Sequence, residues 1–158
     1  MQDLKLYTEI LHAVENGIIT TKKGELNALY RKYDKEFPRL DEFYECLKVA
    51  FDRICTMDFL KGSDLAKPYV IYSLALALIH GAHTVPNFEQ GDVTVDFASG
   101  STEGRLLELS TALDLDEEEA KDSPFKEFIA ASSDRTNVKA QRETRVRWFI
   151  KALSGTEG

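Results

Sequence analysis

Too little cysteine, too little positive charge and no long apolar run remove this sequence from several large functional classes. Only two cysteines, Cys46 and Cys55, occur in 158 residues. Both fall in one predicted helix, which sets them about 13 Å apart along its axis and on opposite faces, so they do not bridge each other. They read as small hydrophobes in a reducing compartment, and no further ligands stand at metal-site spacing. No stretch reaches the roughly 20 apolar residues that span a bilayer. MQDLKLYTEI lacks the order of a secretory signal, so a cytoplasmic chain is expected. Twenty Lys and Arg against 27 Asp and Glu leave a formal charge of −7, which argues against wholesale coating of a polyanion. Also missing are a GxxxxGKS/T phosphate loop, a GxGxxG turn, a GxSxG elbow and an HExxH helix. No segment repeats with a period of about 20 to 50 residues, which excludes a solenoid.

What is present is helical periodicity over one domain-sized chain, 43% apolar, assigned to residues 1–155 with a 156–158 tail. Asp3 can cap a first helix in which Leu4, Tyr7, Leu11 and Val14 recur beside Ile10, with Asn16-Gly17 as the stop. Thr20 or Thr21 then opens a second helix carrying Leu26, Leu29, Tyr30 and Tyr33 on one side, bounded by Pro38. From about residue 39 to 57, Leu40, Phe43, Leu47, Ala50, Phe51 and Ile54 keep a 3-and-4 rhythm while Asp41, Glu42, Glu45, Lys48 and Asp52 take the other faces. Pro68 leads PYVIYSLALALIHG, which has no polar face and is too short to cross a membrane; residues 68–80 therefore form the central helix. Residues 82–101 break the pattern and read as an exposed connection with a short strand near 93–97. A helix from about Ser101 to Leu113 follows. The acidic DLDEEEAKD reads as a solvated face or helix start, and Ser123-Pro124 opens PFKEFIAA. The expected fold is all-α, a compact bundle of about six or seven helices.

The last predicted helix, about Asn137 to Leu153, concentrates positive charge in Lys139, Arg142, Arg145, Arg147 and Lys151. Val138, Val146, Phe149 and Leu153 form its apolar stripe, and Arg142 projects from the middle of that stripe. A guanidinium cannot shed its charge, so Arg142 is expected as a buried structural arginine held by a carboxylate or carbonyls. Trp148 points nearly opposite. With Arg145, Arg147 and Lys151 it forms the candidate surface for a protein partner or for nucleic acid, through phosphate contacts and base stacking. The alternative for Trp148 is a second packing surface covered by a neighbouring helix. His80 and His83 flank Gly81 without the glutamate of a zinc helix and read as structural, and His12 as solvated. No catalytic, cofactor-binding or metal-binding residue is expected.

Three segments, DLKLYTEILHAVENGIITTKKGELNALYRKYD, KPYVIYSLALALIHG and PFKEFIAASSDRTNVKAQRETRVRWFIKAL, resemble in order and spacing the helical region that follows the nuclease domain in GmrSD-type restriction proteins. The resemblance covers most of the chain and rests on patterned helices, with Arg142 and Arg145 where that family tends to place a late arginine. The DGQQR motif of the family's ParB-like nuclease half is absent, so no activity carries over to a residue here. The resemblance implies a C-terminal helical domain, or a stand-alone relative, that supports the nuclease half, contacts DNA or mediates assembly. The expected function is a non-catalytic accessory or scaffold domain of a bacterial antiphage nuclease protein, acting through protein contacts. The alternatives are a nucleic-acid-binding module built on the basic last helix and a small enzyme whose site the sequence does not reveal. Expected partners are a nuclease domain or another protein subunit, with nucleic acid as the alternative and no membrane.

Overall fold

The computed structural model describes residues 2–89 and 101–155, and these form an all-helical bundle. Its elements are α1 (Gln2–Asn16), α2 (Lys23–Lys32), α3 (Leu40–Thr56), two 3-10 turns (Asp58–Leu60 and Asp64–Ala66), α4 (Pro68–Ala82), α5 (Ser101–Ala112), α6 (Glu117–Asp122), α7 (Lys126–Ser133) and α8 (Lys139–Ser154). The strand expected near 93–97 and the 156–158 tail lie outside the described residues.

α4 is the axis of the bundle. Pro68 stands at its start, where a missing N–H leaves no bond unmade, and every residue from Tyr72 to Ile79 is buried. α1, α3 and α8 pack directly on α4; α5 and α7 lie on α8, α2 on α1 and α6 on α7. Leu74, Leu76 and Ile79 are fully enclosed, each contributing about 1.5–3 kcal/mol by leaving water. No described helix is long and apolar enough to cross a membrane.

The acidic run is a solvated helix start, as expected: Asp116 caps α6 by accepting from the backbone N–H groups of Glu118 and Glu119, both at 2.9 Å. This gives eight α-helices among the described residues rather than six or seven. Asp3 lies inside the first turn of α1, not before it. Thr20 and Thr21 do not open α2, which begins at Lys23 with the Lys22 N–H donating to Glu25 Oε2 at 3.1 Å. Thr20 Oγ1 instead accepts from the Lys139 N–H at 2.9 Å, serving an orphan donor at the start of α8. The connection after α4 is exposed at His83, Thr84, Asn87 and Glu89 but anchored at two points. Val85 and Phe88 are buried, and Gly17, at φ +88°, receives the Pro86 carbonyl so closely that a Cβ there would lie 2.4 Å from its oxygen.

The buried line of α1 is also rotated from the predicted stripe. Ile10 and Ala13 face the core with Leu6 beside them, whereas Leu4 and Tyr7 are exposed and Leu11 and Val14 half-buried. The reason is that α1 has neighbours on several sides. It meets α4 along the Ile10–Ala13 line, α2 through Thr8 and Glu15, and α3 through Tyr7, whose ring lies edge-on to Phe51 at 5.1 Å.

Candidate functional site

α8 carries two interior arginines. Arg142 is 4% exposed, and its guanidinium lies over the Tyr72 ring, 4.3 Å from the centroid. It donates to Glu9 Oε1 at 3.2 Å, Thr21 Oγ1 at 2.5 Å and the Ile19 carbonyl at 3.4 Å. One side chain thus ties α8 to α1 and to the α1–α2 link. Burial beneath this cation pushes the Tyr72 hydroxyl up to about 12, the desolvation outweighing the stabilising charge of Arg142.

Arg145 is wholly buried, which removes it from the exposed contact surface assigned to it from the sequence. Its Nε donates to Ser73 Oγ at 3.1 Å, its Nη1 to the Ala131 carbonyl and its Nη2 to the Thr136 carbonyl at 2.5 Å. The face of its guanidinium lies 5.3 Å from the Tyr69 ring centroid. Burial, and then the like charge of Arg142, push its pKa down to about 10, still far enough above neutrality to keep it cationic. The physical reason for its placement is a second packed side of α8. α7 and α5 cover that side while α4 covers the first, so Arg142, Arg145, Phe149 and Ala152 make a continuous buried line.

The remaining candidates do not form one basic face. Trp148 is half-buried, its ring 5.6 Å from Phe125 and 6.4 Å from Phe128. Arg147 is half-buried over the Phe88 ring, with Nη2 3.9 Å from Glu143 Oε2. Lys151 is exposed, its ammonium 5.0 Å from the centroid of Trp148. The surface charge left on α8 is further divided by Glu143, which also stands 3.6 Å from Lys139 Nζ.

His80 Nδ1 accepts from the Val85 N–H at 3.1 Å and its ring lies edge-on to Phe88, so it closes the turn after α4; His83 is exposed. His12 is only partly exposed, and its Nδ1 is buried with no partner among the described residues, which departs from the solvated side chain expected there. Among the described residues no group of three His, Cys, Asp or Glu is placed to hold a metal. Cys46 is buried, and burial raises its thiol pKa above the ordinary value; Cys55 is exposed. A groove open to solvent between α6 and α7 is lined by Ala120, Ile129 and Ala130, with Lys121 and Glu127 at its edges.

A different surface emerges on the first three helices. Leu4 (61%), Leu40 (56%) and Tyr44 (60%) are well exposed, with Tyr7 and Tyr30 less so. Leu4, Tyr7, Leu11 and Val14 form one line on α1, and Leu40, Tyr44, Leu47 and Phe51 one line on α3. The two lines meet where Tyr7 touches Phe51. On the other flank of α1, Tyr30 of α2 is held by its hydroxyl, 2.8 Å from Thr8 Oγ1, and Glu15 accepts from Lys32 and Tyr33.

No family model, curated protein or solved structure matches the chain.

Sequence reasoning missed the burial of Arg145, although a signal was present. Apolar residues at 146, 149, 150, 152 and 153 span an arc of about 160° at 100° per residue, and Arg145 falls inside it, between 152 and 149. It missed the α1–α3 surface for the opposite reason. Leu4, Tyr7 and Leu40 fit helical stripes well enough to be taken for core, and Tyr44 was not singled out.

Proposed function

We propose that the chain is a non-catalytic helical domain that acts through protein contacts in the cytoplasm, with the α1–α3 face as its contact surface. The carrying observation is the distribution of exposed apolar side chains. Of the six large ones among the described residues, five (Leu4, Tyr7, Tyr30, Leu40 and Tyr44) lie on α1–α3. Singly exposed hydrophobes need no explanation, whereas a cluster marks a site of association. Tyrosine suits such a surface because it offers a large contact area with one polar end and few rotors to immobilise. The resemblance to the region behind the nuclease of GmrSD-type proteins supports a setting for this reading, an accessory or assembly role in a bacterial defence nuclease protein.

The test places a photo-cross-linking p-benzoylphenylalanine at Tyr44 and, as a control, at exposed Glu118 on α6. The expected outcome in cells is a discrete protein adduct from position 44 and none from 118; equal yields at the two positions overturn the choice of face. Hydrolysis of a nucleoside triphosphate or of DNA by the purified chain, abolished by one substitution within it, overturns the non-catalytic reading.

A further inference from the structure

We infer that the occupant of the α1–α3 face is a second copy of this chain, bound across a two-fold axis; the inference rests on that face being a contact surface. Its basis is the opposite charge of the two helices that flank α1. α2 carries Lys23, Arg31 and Lys32 against a single acid, Glu25; just beyond its ends Lys22 and Lys35 are balanced by Asp34 and Glu36, which leaves the helix's own positive charge. α3 carries Asp41, Glu42, Glu45 and Asp52 against Lys48 and Arg53. An apolar surface with one basic and one acidic flank is self-complementary. A two-fold rotation about an axis parallel to α1 sets the apolar line of α1 against its own copy and brings each α2 over the partner's α3. A partner bearing one sign of charge would satisfy one flank and be repelled by the other.

The charges that would face the partner are not consumed internally. Arg39 is paired with Glu42, Lys48 with Asp52 and Lys32 with Glu15. Lys23, Arg31, Asp41 and Glu45 are exposed and make no ion pair among the described residues. A face one α1 long and two to three helices wide covers on the order of 350–700 Å². That is somewhat below the roughly 800 Å² per partner of a standard stable interface. A surface of that size belongs with weak, reversible associations rather than permanent ones, so the dimer is expected to dissociate on dilution.

The experiment is sedimentation of the full chain over a hundredfold range of concentration spanning the micromolar, with two charge-reversed variants. One carries Lys23→Glu and Arg31→Glu, which makes both flanks acidic. The other carries Asp41→Lys and Glu45→Lys, which makes both basic. Wild type is expected to pass from monomer to dimer. Each variant alone is expected to self-associate at least tenfold more weakly, and an equimolar mixture to recover a heterodimer, because every α2–α3 contact in the mixed pair is again between opposite signs. Leu40→Ser with Tyr44→Ser, at two exposed positions, is expected to weaken association without changing the circular dichroism spectrum. The inference is overturned if wild type stays monomeric throughout, if it dimerises with none of these substitutions having an effect, or if the folded variants fail to pair when mixed. A monomer whose position 44 still cross-links to a different polypeptide overturns only the second copy; a monomer that cross-links to nothing there overturns the contact reading as well.

Discussion

Arg145 is a buried charge that pairs with no carboxylate among the described residues. Its hydrogen-bonded partners are a hydroxyl and two carbonyls, one of them Ala131 in the last turn of α7. The carbonyls left open at a helix C-terminus carry partial negative charge, so α7 itself serves as the counter-charge. Arg145→Met keeps most of the volume but leaves the Ala131 and Thr136 carbonyls and the Ser73 hydroxyl short of a donor. It is expected to lower stability by about 2–4 kcal/mol, read from urea midpoints. Arg145→Lys should recover little, because an ammonium on a flexible stem cannot reproduce a fixed planar fork. Arg147→Met, at the half-exposed neighbour, should stay within about 0.5 kcal/mol of wild type. The pH dependence has a definite sign. With a folded pKa near 10 against an ordinary 12.5, the folded chain holds fewer protons than the unfolded chain between those values. This group therefore adds stability as pH rises through that window and contributes no slope near neutrality. Arg105 is used in a related way, its Nε donating to the Ala152 carbonyl at 2.6 Å in the last turn of α8, against Gly155 in the left-handed conformation.

Among the elements, the end of α1 is where the first half of the chain locks. Gly17→Ala must place a Cβ against a backbone oxygen as well as force φ +88° on alanine, whereas Gly62→Ala, at φ +78°, meets open space. The expected costs are about 1–2 kcal/mol at Gly62, from the backbone alone, and at least about 2 kcal/mol more at Gly17, compared by thermal unfolding. Glu15 holds α2 to the same end. Burial raises its pKa, but hydrogen bonds from Lys32 and Tyr33 outweigh it and leave the carboxyl below 4.5. A depressed carboxyl stabilises above its unfolded value and loses that stabilisation as pH falls through the folded one. The protection of α2 amides, taken relative to their intrinsic exchange rate, should fall below about pH 4.5, and Glu15→Gln should lower it at neutral pH and remove the acid step. The central α4 and the span of α3 were legible because an unbroken apolar run and a 3-and-4 rhythm each admit one structure. The phase of α1 was not, since periodicity reports which residues are apolar without reporting how many neighbours the helix has. The Thr20 bond to the start of α8 is equally invisible locally, because it joins groups 119 residues apart.

At the scale of the molecule, one helix organises the rest, and stability should be most sensitive there. Leu76→Ala, at a fully buried position of α4, is expected to cost about 2–5 kcal/mol in denaturant unfolding. The surface is more tolerant of substitution. The enclosure of α4 also bears on how the chain is made. α1 and α3 precede α4 in synthesis, but α8, which covers another of its sides, ends about seventy residues later. At about 5–20 residues per second that is a wait of roughly 4–14 s, during which the most apolar segment of the nascent chain has a side open to whatever else is in the cell.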